Sequence, residues 1–194
     1  MRNALVALMV LALAGFAFAG QNPDINIYIV DNATGVGNNL VCPAPSATFN
    51  AYVCFDHFGP GGGMLGCSFA FNRTFGGFKL SFINMLGGLT IGDPEVAPGC
   101  ALTSGANPVF PTAGIIVAAN AMYLYTGVPG TIVLAAHGTD GRAVADANNL
   151  LDFWCIRSIP TSGNFGVCMD PPPGDCPTSP VEDSTWGSIK ALYR

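Results

Sequence analysis

Apolar and polar positions alternate most densely between Phe49 and Phe71, on both sides of the turn Gly59-Pro60-Gly61-Gly62-Gly63. Phe49, Ala51, Val53 and Phe55 alternate with Asn50, Tyr52, Cys54 and Asp56, and Leu65, Cys67, Phe69 and Phe71 alternate with Met64, Gly66, Ser68 and Ala70. A period of two is that of a half-buried strand. The pattern predicts a hairpin in which Val53 faces Cys67, Phe55 faces Leu65 and Phe49 faces Phe71, with every apolar residue on one face. A slip of one residue would set Cys54 against Cys67 but would bury Asp56 and Asn50, so burial argues against that disulfide.

The same period recurs along the chain. Ile25, Ile27 and Ile29 predict a first strand, and Asp31 to Asn39 a loop. Phe78, Leu80 and Phe82 predict a further half-buried strand with those rings inward. Gly87 to Pro111 is broken by Asp93-Pro94, Pro98-Gly99 and Asn107-Pro108 and is expected to be a long irregular loop, the usual place for a binding surface. Ile115–Ala119, Met122–Thr126, Thr131–Ala136, Ala143–Ala145 and Leu150–Ile156 are apolar runs separated by turn residues. Short strands at regular spacing predict an all-β fold, an antiparallel β-sandwich.

Both ends differ from this body. Arg2, the apolar run Leu5 to Ala14 and Ala17-Phe18-Ala19 make residues 1–19 a signal peptide. Its run is shorter than the roughly 20 residues of a membrane-spanning helix. The domain is expected over 20–168. Residues 169–180, rich in proline, form a linker, and 181–194 a short amphipathic tail. There Trp186, Ile189 and Tyr193 share one helical face, which makes them a candidate docking or sorting segment, or one that packs back on the domain.

Composition narrows the chemistry. Only 10% of residues are charged, the net charge is −5, and there are 25 glycines and 15 prolines. The few basic residues are scattered singly, so nucleic acid is not an expected partner. Seven cysteines on an exported chain point to a disulfide framework in an oxidising compartment. Cys168 and Cys176 flank a tight proline turn and are the first candidate pair. Cys67 with Cys155, both read as core-facing, is the second. Cys42, Cys54 and Cys100 are left unassigned.

Candidate reactive groups are sparse. Gly61-x-Gly63-x-x-Gly66 matches a dinucleotide fingerprint in letters, but a strand pattern follows it where a helix is required. Asp56-His57 could form half of an acid–base pair, and His137 precedes a turn. Asp140, Asp146 and Asp152 offer calcium oxygens without the spacing of an EF-hand loop. No cofactor or metal is expected. Flat rings can stack on sugars; with the phenylalanines assigned to the core, Tyr123 and Tyr125 are the candidate ligand contacts.

The strands at Phe49–Val53, Gly66–Phe71 and Gly130–Ala136, with the early isoleucine strand, give Ile25–Arg157 a resemblance to secreted cohesin-like and immunoglobulin-like sandwiches. That resemblance implies adhesion, scaffolding or ligand binding outside the cell. The ending Thr185 to Arg194 resembles the closing segment of small exported bacterial proteins. The expectation is therefore an exported, non-enzymatic interaction or structural module with a protein or glycan partner outside the cytoplasm. The alternatives are a carbohydrate-binding module or a secreted hydrolase using Asp56 or His57.

Overall fold

The computed structural model describes residues 25–59, 61–158 and 162–176. They are all-β, with no helix among them. The strands are β1 (Asn26–Val30), β2 (Leu40–Val41), β3 (Thr48–Asp56), β4 (Met64–Arg73), β5 (Gly77–Asn84), β6 (Thr90–Asp93) and β7 (Val96–Thr103). They continue as β8 (Ile116–Tyr125), β9 (Gly130–Ala135), β10 (Ala143–Asp146), β11 (Leu151–Phe153), β12 (Cys155–Ile156) and β13 (Phe165–Val167). One sheet runs β12-β1-β3-β8-β5; the other runs β11-β10-β4-β9-β13-β2, with the β6–β7 pair attached to β4. Pairing is antiparallel except for β1 with β12 and β2 with β13.

One core lies between the sheets. Ile27, Ile29, Phe49, Val53 and Phe55 enter it from the first, and Phe69, Phe71, Ile132, Leu134 and Phe165 from the second. Trp154 closes one part of it, its indole N–H donating to the Ser68 carbonyl at 2.9 Å.

The expected hairpin is not formed. β3 pairs with β1 and β8, and β4 with β7, β9 and β10, so the two strands lie in different sheets. The alternation holds for Phe49, Val53, Phe55, Cys67, Phe69 and Phe71 but not at the start of β4, where a register shift against β10 puts Met64 in the core in place of Leu65; the expected pairing does not hold. Two apolar faces satisfy each other across a core about 10 Å thick as well as they do side by side. The connection after Asp56 is long enough to cross.

Three further expectations change. In β5, Phe78 and Leu80 are 65% and 51% exposed, and Lys79 points inward. The register against β8 shifts between Lys79 and Ser81, which returns Phe82 to the core side. The expected loop from Gly87 to Pro111 contains β6 and β7. Pro98 sits where their register shifts, outside the residues 100–103 that pair with β4, so no ladder bond is asked of it. Leu150–Ile156 is inverted: Asp152, Trp154 and Ile156 are buried, while Leu151 and Phe153 are exposed.

The cysteines pair as Cys42–Cys168 and Cys155–Cys176, and Cys54, Cys67 and Cys100 are free and buried. Cys168–Cys176 and Cys67–Cys155 are therefore replaced. Parallel pairing of Gly166 with Leu40 and Val167 with Val41 brings Cys42 and Cys168 next in register. The inverted face of β11–β12 turns Cys155 away from Cys67. Two disulfides point to an oxidising compartment.

The linker expected at 169–180 is tied down over its described part. Asp175 accepts from the Ile156 N–H at 2.8 Å and pairs with Arg142, and Asn164 donates to the Pro172 carbonyl at 3.0 Å. The signal peptide and the Trp186, Ile189 and Tyr193 segment lie outside the described residues.

Candidate functional site

A cleft of about 580 Å³ lies on the outer face of the β12-β1-β3-β8-β5 sheet. Alternation puts Tyr28, Val30 and Cys54 on that outer face, where Ile115 and Val117 join them as a second, smaller apolar cluster. The loop after β1 folds down over it. Gly35 makes this approach feasible: its φ is +74°, and a Cβ there would stand 2.5 Å from the Ile115 Cγ2. The Tyr28 hydroxyl donates to the Gly35 carbonyl at 3.2 Å. Burial, followed by the nearby Cys54 and Asp56, pushes the Tyr28 phenol well above its ordinary value, so it remains a donor.

Asp56, His57 and Arg157 form the polar end. Asp56 ends β3 and is 8% exposed. Its Oδ1 accepts from Asn26 Nδ2 at 2.9 Å and from His57 Nδ1 at 2.6 Å, and its Oδ2 lies 3.3 Å from Arg157 Nη1. His57 is held at φ +61°, in the left-handed region that non-glycine residues rarely adopt. The Arg157 guanidinium lies over the Tyr28 ring, 4.9 Å from its centroid. Its backbone N–H donates to Ile27 at 3.0 Å, and the Cys155–Cys176 bridge sits two residues before it. Val30, Val36, Phe58 and Ile115 line the rest.

Sequence reasoning had singled out Asp56 and His57, and the structure brings them together. It missed Arg157 and Tyr28. Arg157 is a lone cation after a short strand; its only signal is the i+2 relation to Cys155, which puts both on the side facing Asn26.

The remaining candidates fall elsewhere. Tyr123 and Tyr125 are 0% and 3% exposed. Tyr123 stacks on Phe49 and meets Phe75 edge-on, so neither tyrosine presents a face to a sugar. Burial, then the Glu95 carboxylate, pushes the Tyr123 phenol far up. His137 Nδ1 accepts the Asp140 N–H at 3.0 Å, and Asp146 accepts from the N–H groups of Asn148 and Leu150, so both organise their own turns. Among the described residues no cluster of three His, Cys, Asp or Glu side chains could hold a metal. Gly63 and Gly66 lead into and lie in β4, with no helix following.

A second surface feature is apolar. The edges of the two sheets meet where Lys79 pairs with Asp93 and where Asn84 donates to the Leu89 and Thr103 carbonyls at 2.8 and 2.9 Å. Phe78, Leu80, Ile83 and Met85 flank this seam on one side and Leu89, Ile91 and Val96 on the other, all exposed. Beneath it Arg73 bonds to Glu95 at 2.9 Å and lies over the Phe75 ring.

No protein-family model, curated protein or solved structure matches the chain.

Proposed function

We propose that the chain is an exported β-sandwich of the cohesin or immunoglobulin kind that acts by binding rather than by turnover, as a cell-surface or extracellular interaction module. The observation that carries this reading is the apolar band along the β5–β6 seam. Monomeric proteins rarely leave several large apolar side chains along one border without a partner. Edge strands are normally guarded by outward charges, above all lysine. The only charge in β5, Lys79, is turned inward onto Asp93.

The occupant that fits is a second copy of this chain. The band's exposed large side chains are apolar and its charges, Lys79 and Asp93, pair with each other, whereas the rest of a molecule of net charge −5 repels its own kind. The register shift at Leu80 twists the strand, so the contact is side chain against side chain and not an extended ladder.

Sedimentation velocity tests this. Association should rise with protein concentration and should vanish in a Leu80→Glu, Ile91→Glu variant whose melting temperature is unchanged. A wild-type chain that stays monomeric across the same range removes the reading. The carbohydrate-binding alternative finds no exposed ring face at Tyr123 or Tyr125. The Trp186, Ile189 and Tyr193 segment keeps its proposed role as a docking or sorting element; truncation after Pro180 should misdirect the chain, and unchanged export and partner capture would refute that role.

A further inference from the structure

We infer that the cleft beside Asp56 and His57 is a binding site for a small amphipathic organic anion, with one carboxylate on Arg157 and an apolar body against Val30, Val36, Phe58 and Ile115. The assignment follows from what each polar group has left to offer. Asp56 already receives Asn26, His57 and Arg157, so its oxygens are committed within the protein and do not invite a cationic ligand. Arg157 is different. A guanidinium carries five N–H donors in a planar fork suited to a carboxylate. The pair with Asp56 runs through Nη1, and the guanidinium carbon rests 4.9 Å from the Tyr28 ring centroid in the lining of the cleft.

The walls set the other half of the ligand. Apart from the polar end they are the side chains of Val30, Val36, Phe58, Ala113 and Ile115 with glycine backbone at Gly35, Gly37 and Gly114, and the volume lies within the range of sites for small molecules. The Tyr28 ring face is already taken by Arg157, which disfavours a stacked sugar. One guanidinium on a chain of net charge −5 is too little for a phosphate or a polyanion, which need clustered cations. A monoanion with a greasy body satisfies both ends. The site is also built in advance: the Cys155–Cys176 bridge and the Arg157 N–H bond to Ile27 hold the cation in place, so little ordering accompanies binding.

Ligand-observed NMR with three probes of one shape tests the site on the full chain: 3-phenylpropionate, 3-phenylpropan-1-ol and 3-phenylpropylamine. The acid should bind at millimolar concentration or tighter and about tenfold more strongly than the alcohol, with the amine weaker still. Arg157→Gln should abolish the preference for the acid over the alcohol. Val36 is an exposed residue on the lip of the cleft, so Val36→Asp should leave the melting temperature unchanged and weaken the acid about tenfold. Should Arg157→Gln not fold, Val36→Asp decides alone. Equal binding of acid and alcohol by the wild type, no binding of the acid, or full acid affinity in the folded Val36→Asp variant each overturns the inference.

Discussion

Burial pushes the Cys54 thiol up to about 12, and the carboxylate of Asp56 adds to the shift. Cys100 is raised to about 12 by burial and then by Asp93. Both thiols are neutral in the folded chain, and unfolding returns them to their ordinary value of 9.0. Their contribution to stability is complete below that value and is lost as pH rises from 9 toward 12. The urea midpoint should fall over the accessible part of this window, and Cys54→Ala should flatten the fall. Asp93 works in the opposite sense. Burial opposes its ionisation, but Lys79 and the Glu95 N–H outweigh burial and hold the carboxyl below 3.8. Its contribution is full above that pH and is lost as pH drops through the depressed value. Two phenylalanines test the corrected faces. Phe69→Ala should cost about 3–5 kcal/mol, whereas Phe78→Ala should stay within about 0.5 kcal/mol. Chemical denaturation of both variants measures the difference. Residue-level alternation gave Phe49, Phe55, Phe69 and Phe71 correctly because polar neighbours flank most of them. It failed at Tyr123, because Met122 and Leu124 make both faces of that strand apolar and leave the period without a direction.

Among the elements, β2 and β13 are the least visible in the sequence and matter most to the cross-links. They contain two and three residues, pair in parallel, and come from distant parts of the chain. No local pattern announces such a pairing, so the Cys42–Cys168 bridge could not be read from spacing. The hairpin error has the same origin, since alternation reports which face is buried and is silent on which strand is adjacent. By the chain-entropy account, the bridge spanning 126 residues should contribute about 4–5 kcal/mol and the one spanning 21 residues about 3 kcal/mol. Urea unfolding of the Cys42→Ala, Cys168→Ala and Cys155→Ala, Cys176→Ala variants should rank them in that order. The second variant should also loosen the acid preference of the cleft, because it frees β12 and the Arg157 that follows it.

For the whole molecule, the all-β class was legible from strand-length apolar runs and abundant turn residues. The cleft was legible only by half: Asp56 and His57 are neighbours in sequence, while Arg157 reaches them through the parallel β1–β12 pairing. The apolar band was hidden because Phe78 and Leu80 alternate as a core face would; the shift at the middle of β5 and the inward lysine reverse that meaning. Raised salt offers a further check on the association proposed through this band. A contact made by the apolar side chains of the band should persist or strengthen in sodium sulfate, which favours apolar burial, and dissociation would show that ion pairs hold the copies together.

The order of the cysteines sets a problem for biogenesis. A chain delivered amino end first into an oxidising lumen presents Cys42, Cys54, Cys67 and Cys100 before either Cys155 or Cys168 has arrived. An oxidase acting on sulfhydryls as they emerge would join partners that the finished molecule keeps apart. For a chain exported as proposed, correct maturation then depends on reshuffling, and hosts rich in a disulfide isomerase should yield far more of the properly bridged product than hosts equipped with an oxidase alone.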